Sequence, residues 1–371
     1  MPQLAERLDR LSESATLKMA RLSRELKNQG AEIINLSLGE PDFDTPQHIK
    51  DAGIQAINDG ITSYPPVPGF PELRQAVADK YYHDLGLSYD SNQVVISTGG
   101  KQTLINILMT IVNPGDEIVL PAPYWVSYPE MIKIVGGELV PIPTTVDADY
   151  KITPEQLDNA ITDQTKAVML CSPSNPTGSV YTKEELSQLA EVLERYPQVY
   201  IISDEIYEYI NFLGTQQSIA QFGSLKERTM IVSGVSKGFA MTGWRIGFMA
   251  APQAIADGCT KIQGQFTSGA NAMAQVAATE AISGDRTPTY QMRDAFQQRR
   301  DLVMDKLKAI PGIRYNQPEG AFYLFADIRN LYGIVVNGKA IHDSETFCMT
   351  MLNEANVSVV PGIAFGDDNC I

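Results

Sequence analysis

Histidine is scarce in this 371-residue chain: only His48, His83 and His342 occur, and no two are near one another. A metal centre built on histidine is thereby set aside. The four cysteines, Cys171, Cys259, Cys348 and Cys370, show no C-x-x-C spacing, so neither a disulfide framework nor a zinc site is indicated. No apolar run approaches the roughly 20 residues that span a bilayer. The opening residues, Met1-Pro2-Gln3-Leu4-Ala5-Glu6-Arg7, alternate charge and lack the apolar stretch of a signal peptide, and the expected location is the cytoplasm. Positive charge is also short: 29 Lys plus Arg stand against 44 Asp plus Glu, a net charge of −15. Such a field repels phosphate backbones and argues against nucleic acid as a partner. The acidic residues are scattered, as on a solvated surface. An anionic small substrate would therefore need a locally basic pocket.

The length suits two domains or one large α/β unit, and a hydrophobic fraction of 44% with 20% charged residues is ordinary for a globular protein. Residues 14–29 read as an amphipathic helix, with Met19, Leu22 and Leu26 on one face and Gly30 just beyond its end. A short strand is expected at 33–38, followed by an irregular stretch. From about 46 to 285 helical and β-rich runs alternate. Strands are expected at 93–97, 117–120, 166–170, 200–203, 229–233 and 246–250, and helices at 70–85, 101–112, 154–161 and 183–195. This alternation implies an α/β fold with a mainly parallel sheet covered by helices on both faces. Beyond 286 the pattern becomes α+β, with a long helix at 288–309, a β segment at 321–325, a helix near 343–355 and a strand at 357–360. The expected division is a large domain over 45–287 and a small domain made of 1–44 and 288–371. No internal repeat is present.

In open α/β sheets ligands bind beyond the carboxyl ends of the strands, which directs attention to four post-strand segments. The first is Thr98-Gly99-Gly100-Lys101-Gln102-Thr103, whose small residues let backbone N–H groups approach a phosphate at a helix start. It is not a Walker A loop, because Gln102 stands where Ser or Thr must follow the lysine. The second, Ser172-Pro173-Ser174-Asn175-Pro176-Thr177-Gly178, is a proline-rich turn that places a side-chain amide at the sheet edge. In the third, Asp204-Glu205-Ile206-Tyr207, a carboxylate sits at a strand end. The fourth runs Val232-Ser233-Gly234-Val235-Ser236-Lys237-Gly238-Phe239-Ala240-Met241-Thr242-Gly243-Trp244-Arg245-Ile246-Gly247. It sets a lysine among small residues eight positions before an arginine.

This last segment resembles the lysine motif of the fold-type I aminotransferases that depend on pyridoxal 5′-phosphate, specifically the class I/II branch containing aspartate and prephenate aminotransferases. The resemblance begins at Leu36-Ser37-Leu38-Gly39-Glu40-Pro41-Asp42-Phe43. It continues in the family's order through Pro123-Tyr124-Trp125, Asn175-Pro176-Thr177-Gly178 and Asp204-Glu205-Ile206-Tyr207.

The resemblance implies an amino-group transfer between an L-amino acid, aspartate or prephenate/arogenate being the candidates, and 2-oxoglutarate. Lys237 would form a Schiff base with the cofactor aldehyde and then move the substrate α-proton. Asp204 would hold the pyridine nitrogen protonated, and Tyr207 and Asn175 would bond the ring's phenolic oxygen. Arg245 would clamp the phosphate, with backbone groups of Gly99, Gly100 and Lys101 completing its cradle. Trp125 would stack on the ring. Tyr64 would reach the phosphate of a neighbouring subunit, making a homodimer with shared sites. Gly39 would lie against the substrate α-carboxylate, while Lys101 and Thr16 would receive a second carboxylate.

The family binds the α-carboxylate through an arginine just beyond a stretch like Gly362-Ile363-Ala364-Phe365-Gly366. Here the sequence stops at Ile371, where that arginine would be expected to begin. The expectation is a chain cut short in its small domain. A β-lyase on the same cofactor is an alternative, since a fold does not fix its chemistry, and if the missing arginine is genuine so is a non-catalytic binding protein. Gly234-Val235-Ser236-Lys237-Gly238 also fits the G-x-S-x-G elbow of α/β-hydrolases, a reading that needs a helix directly after Ser236.

Overall fold

The computed structural model describes residues 4–13 and 15–371. Helix α1 (Ala15–Asn28) is followed by the two-residue strand β1 (Ile34–Asn35). Helices α2 (Gln47–Asn58) and α3 (Pro71–Leu85) lead to strand β2 (Val94–Ser97) and helix α4 (Gly100–Ile111). Strands and helices then alternate as β3 (Glu117–Ala122), α5 (Ser127–Val135), β4 (Glu138–Pro143), α6 (Pro154–Ala160), β5 (Thr165–Cys171), α7 (Lys183–Leu193) and β6 (Tyr200–Asp204). Next come β7 (Thr229–Gly234), β8 (Gly247–Ala250), α8 (Gln253–Phe266), α9 (Ala272–Ser283) and α10 (Thr287–Leu307). The remainder holds four short strands, β9 (Arg314–Tyr315), β10 (Ala326–Asp327), β11 (Val335–Val336) and β12 (Lys339–Ala340), then α11 (Ser344–Ala355) and β13 (Val357–Ser358).

Seven strands form one sheet in the order β2-β8-β7-β6-β5-β3-β4, parallel throughout except for β8, which runs antiparallel to both its neighbours. All residues of β2, β7 and β8 are buried, because helices cover both faces. The two-residue period of a strand divides them cleanly. Val95, Ile118, Leu120, Met169, Ile202, Met230, Val232 and Met249 pack under Leu104 and Leu108 of α4, Ile132 of α5 and Ile255 of α8. Their neighbours face the other way. Val94, Ile96, Ile231, Phe248 and Ala250 meet α3 and α9 through Leu73, Val77 and Ala277. Val119, Val168, Leu170 and Ile201 meet α6 and α7 through Leu157, Leu186 and Leu189. Local signals set the helix ends: Thr182 and Glu185 form a capping box on α7, and Gly86 closes α3 at φ 70°.

The two ends of the chain come together. Strand β1 pairs in parallel with β13, Ile34 opposite Val357, and Met19 and Ile33 are buried with Cys348 and Leu352 of α11.

Several local expectations need correction. Helix α1 was expected over 14–29 and is seen over Ala15–Asn28; Ser14 lies outside the described residues. The expected strands at 33–38 and 357–360 shrink to the paired residues of β1 and β13. The expected β segment at 321–325 is irregular: Ala321 has φ 57°, outside the strand region, and the aromatic residues after it pack inward instead of pairing. Helices α2, α5, α8 and α9, strand β4 and the short strands β9 to β12 had no counterpart in the sequence reading. The segment after Ser236 is turn rather than helix, which removes the hydrolase elbow.

Candidate active site

Because β8 is antiparallel to β7 and β2, pairing Gly247 with both Gly234 and Ser97, the approach to β8 lies at the same sheet edge as the carboxyl ends of the other strands. The segments after β2, β3, β5, β6 and β7, and the one before β8, therefore converge. This geometry brings Gly99, Gly100, Lys101, Trp125, Asn175, Asp204, Tyr207, Lys237 and Arg245 to one edge from stretches spread over 147 residues of sequence.

The Lys237 ammonium donates to the Gly39 carbonyl and lies 5.6 Å from the centre of the Phe322 ring and 5.9 Å from that of Tyr207. Burial pushes its pKa down to about 8; Arg245 acts in the same direction, while Glu40 and Asp204 oppose. Asp204 ends β6 with 4% of its surface exposed. Burial pushes its carboxyl up to about 6, against the opposing pull of the Tyr128 hydroxyl, the Ile206 N–H and Lys237. Its Oδ2 accepts from Tyr128 Oη at 2.7 Å and its Oδ1 from the Ile206 N–H at 3.2 Å. The Tyr207 hydroxyl accepts from Asn175 Nδ2 at 3.4 Å and forms a hydrogen bond with Tyr323 Oη at 2.5 Å. Burial, reinforced by Tyr323, holds the Tyr207 phenol far above its ordinary pKa, so it stays protonated at neutral pH.

Beside this group a backbone corner meets a guanidinium. Gly99 precedes the first turn of α4 at φ 84°, and a Cβ there would fall 2.3 Å from Arg245 Nη2. Gly247 is as tightly placed, since its Cβ would reach 2.3 Å from the Gly100 nitrogen. Arg245 donates to the Thr242 carbonyl at 2.9 Å and to the Thr98 carbonyl at 3.5 Å. Free N–H groups at a helix start, next to an arginine, suit a phosphate. Lys101, one residue into α4, sets its ammonium 4.9 Å from the centre of the Trp125 ring. Burial lowers its pKa and Arg245 adds to the effect.

Gly39 packs against Tyr323, whose hydroxyl would sit 2.6 Å from an added Cβ. Thr16 is half-buried in the first turn of α1. Tyr64 is 96% exposed. Three contributors escaped the sequence reading: Tyr128, Tyr323 and Glu40, which accepts from Thr242 Oγ1. Tyr128, in the first turn of α5, lies three residues beyond Trp125, and its N–H bonds the Trp125 carbonyl at 3.0 Å. Tyr323 carries no local signal.

The family model for aminotransferase class I and II matches residues 31–371. The chain belongs to that family. The aspartate/prephenate aminotransferase of Cereibacter sphaeroides is 45% identical over 99% of this chain and 92% of its own. Among solved structures, the aspartate aminotransferase from Rhizobium meliloti superposes with a TM-score of 0.96 at 39% identity, covering 100% of this chain and 93% of that one. That from Thermus thermophilus with maleate gives 0.92 at 38% identity, covering 99% and 93%. The chain thus has the fold of the aspartate aminotransferases, and its activity is amino-group transfer. Neither a β-lyase nor a non-catalytic binding protein is favoured by these likenesses. Among the described residues no group of three or more His, Cys, Asp or Glu is placed to hold a metal ion, and no helix is long and apolar enough to cross a membrane.

Proposed function

We propose that this aminotransferase binds pyridoxal 5′-phosphate at the sheet edge and moves an amino group between a dicarboxylic L-amino acid, aspartate or arogenate, and 2-oxoglutarate. The observation that carries the reading is the convergence at one sheet edge of Lys237, the buried Asp204 and the Gly99–Arg245 corner, with burial pushing the lysine down to about 8 and the carboxyl up to about 6. The donor set fits the cofactor group by group. Asp204 suits a ring nitrogen, Asn175 and Tyr207 a phenolic oxygen, and Gly99, Gly100, the start of α4 and Arg245 a phosphate.

When bound, pyridoxal phosphate supplies an electrophilic aldehyde and a ring that accepts electron density from the substrate α-carbon. The protein's own groups do the rest. With its pKa near 8, Lys237 has a neutral fraction at physiological pH, so its Nζ can act as nucleophile and as carrier of the α-proton. Asp204, ionised above about pH 6, would hold a proton on the ring nitrogen. Tyr207 stays a donor. Trp125 would cover one ring face, and Gly39 would lie against the substrate α-carboxylate. Lys101, supported by Thr16, would receive the distal carboxylate; a dicarboxylate, maleate, is present in the Thermus structure.

Two arrangements accompany this reading. A large domain over 45–287 and a small one from 1–44 and 288–371 is supported by the β1–β13 pair and the cluster of α1 with α11. A homodimer with shared sites is supported by Tyr64, whose exposed ring is available to a second subunit.

The test is the near-ultraviolet and visible spectrum of the purified chain with pyridoxal phosphate, before and after L-aspartate or L-glutamate. Conversion of the bound cofactor's band to that of the pyridoxamine form is expected. A band that fails to change with any dicarboxylic donor would remove the substrate assignment, and no band after reconstitution would remove the cofactor.

A further inference from the structure

Lys80 of α3 is a buried ammonium that none of the roles above uses. Its Nζ donates to Glu208 Oε2 at 2.5 Å, with the two side chains 0% and 4% exposed. The other oxygen of Glu208 accepts from Ser233 Oγ at 2.6 Å. Glu208 follows Tyr207 directly, and Ser233 lies in β7 four residues before Lys237. Toward the surface, Lys80 meets Asp84 at 3.4 Å, and Asp84 takes Arg286 Nη1 at 3.1 Å. A row of alternating charges thus runs from Arg286 to the strand that leads into the lysine turn.

Tyr209 adds a second link. Its ring centre is 5.6 Å from Lys80 Nζ and 4.9 Å from that of Phe239, and a Cβ on Gly238 would strike it at 2.7 Å. Gly238 and Phe239 immediately follow Lys237. Both arms of the site, 204–210 and 233–239, therefore rest on the same ion pair. The groups facing Lys80 are Glu208, Asp84, Tyr81 and Tyr209, with Glu205 and Arg286 behind them. Burial works against its charge, but Glu208, Tyr209 and Asp84 outweigh that and hold the ammonium above its ordinary pKa. A buried ion pair is often no more stabilising than apolar residues of the same size, so stability alone is a poor account of it. What charge-assisted hydrogen bonds supply beyond apolar contact is direction.

We propose that Lys80 is a positioning residue: through Glu208 and Tyr209 it fixes the arm bearing Asp204 and Tyr207 against β7 and the turn bearing Lys237. This builds on the function proposed above, since it assigns a second layer to that same site.

The experiment compares the full chain with Lys80→Met and Glu208→Gln, the latter keeping size and a partner for Ser233 should the former fail to fold. Amide hydrogen exchange without cofactor is read first. Faster exchange confined to 204–210 and 233–239 is expected; wild-type exchange there, or uniform acceleration of every peptide, overturns the proposal. With pyridoxal phosphate bound, kcat should fall about 10- to 100-fold, as for a displacement near 1 Å. The KM for the amino donor should change less than about threefold, and the pH titration of the visible band should move. A lower Tm with kcat and titration unchanged overturns it too. A wild-type chain that takes up no cofactor would defeat the proposed function, while the exchange data would still decide the role of Lys80.

Discussion

The Tyr128 hydroxyl donates to Asp204 Oδ2 across 2.7 Å, joining helix α5 to the end of strand β6. This bond favours the ionised carboxylate, in a place where burial works against it. Tyr128→Phe removes the donor and leaves the oxygen with less support, so the Asp204 pKa rises above about 6. A hydrogen bond to a charged group contributes about 1.5–3 kcal/mol, so kcat/KM should fall roughly tenfold or more. The acid limb of the pH–rate profile should move to higher pH. A profile that stays in place would show that Tyr128 does not tune Asp204.

The glycines flanking Arg245 separate a packing demand from a merely permissive site. A Cβ on Gly247 would reach backbone atoms of Gly99 and Gly100, whereas one on Gly243 meets nothing within 4 Å. Gly247→Ala must push β8 away from the start of α4, costing about 1–3 kcal/mol or more by overpacking. It should also weaken pyridoxal phosphate binding. Gly243→Ala should stay within about 1 kcal/mol of wild type. Denaturant midpoints and cofactor titrations on the two variants check both statements, and equal losses would refute the distinction.

Lys101 makes substrate choice testable. Its ammonium, 4.9 Å from the Trp125 ring centre, has no carboxylate partner among the described residues, although burial lowers its pKa. A dicarboxylic substrate would provide one. In Lys101→Ala the KM for aspartate should rise roughly 10- to 100-fold, the loss of one charge-assisted hydrogen bond. The KM for alanine should change far less. Steady-state kinetics with both donors decide, and parallel losses would assign Lys101 to the cofactor alone.

The site was more legible in the sequence than the contacts that support it. Asp204, Lys237 and Arg245 lie at or beside strand ends, which drew attention to them, and the resemblance to the aminotransferases supplied their roles. Tyr128 and Tyr323 act across 76 and 116 residues of sequence, and only the folded chain brings them to Asp204 and Tyr207. Helix α9 escaped notice for a packing reason: Ala272, Ala274, Gln275, Ala277, Ala278, Ala281 and Ile282 are all buried, so no apolar stripe stands out against a polar face. The stretch 321–325 misled in the opposite sense. Its aromatic residues look like a strand, yet Phe322 stacks 4.9 Å from Phe296 of α10 and Ala321 turns the chain at φ 57°.

Tyr64 offers a test of the shared site. At 96% exposure its side chain supports little of its own subunit, so Tyr64→Phe should leave the Tm within about 2 °C of wild type, as for a surface change below about 0.5 kcal/mol. If its hydroxyl reaches the neighbour's phosphate, the Kd for pyridoxal phosphate should still rise about tenfold, one neutral-to-charged hydrogen bond. Equilibrium dialysis gives that constant, and an unchanged value would remove Tyr64 from the site.

Glu205 connects the buried layer to pH. Burial pushes its carboxyl up to about 8; Glu208 raises it further, while Ser218, Ser203 and Lys80 oppose. One of its oxygens, Oε2, has no hydrogen-bond partner among the described residues. Between its ordinary value of 4.5 and about 8 the folded chain binds a proton that the unfolded chain has released. Stability from this group is therefore greatest below pH 4.5 and declines as pH rises to about 8. Glu205→Gln retains an acceptor for Ser203 and cannot ionise, so it removes that decline. The Tm difference, variant minus wild type, should grow steadily from pH 5 to pH 8.5. Asp204 titrates in part of the same window, but it is present in both proteins and drops out of the difference. A difference independent of pH would mean that Glu205 is ionised in the folded chain throughout, held so by the Lys80 ammonium.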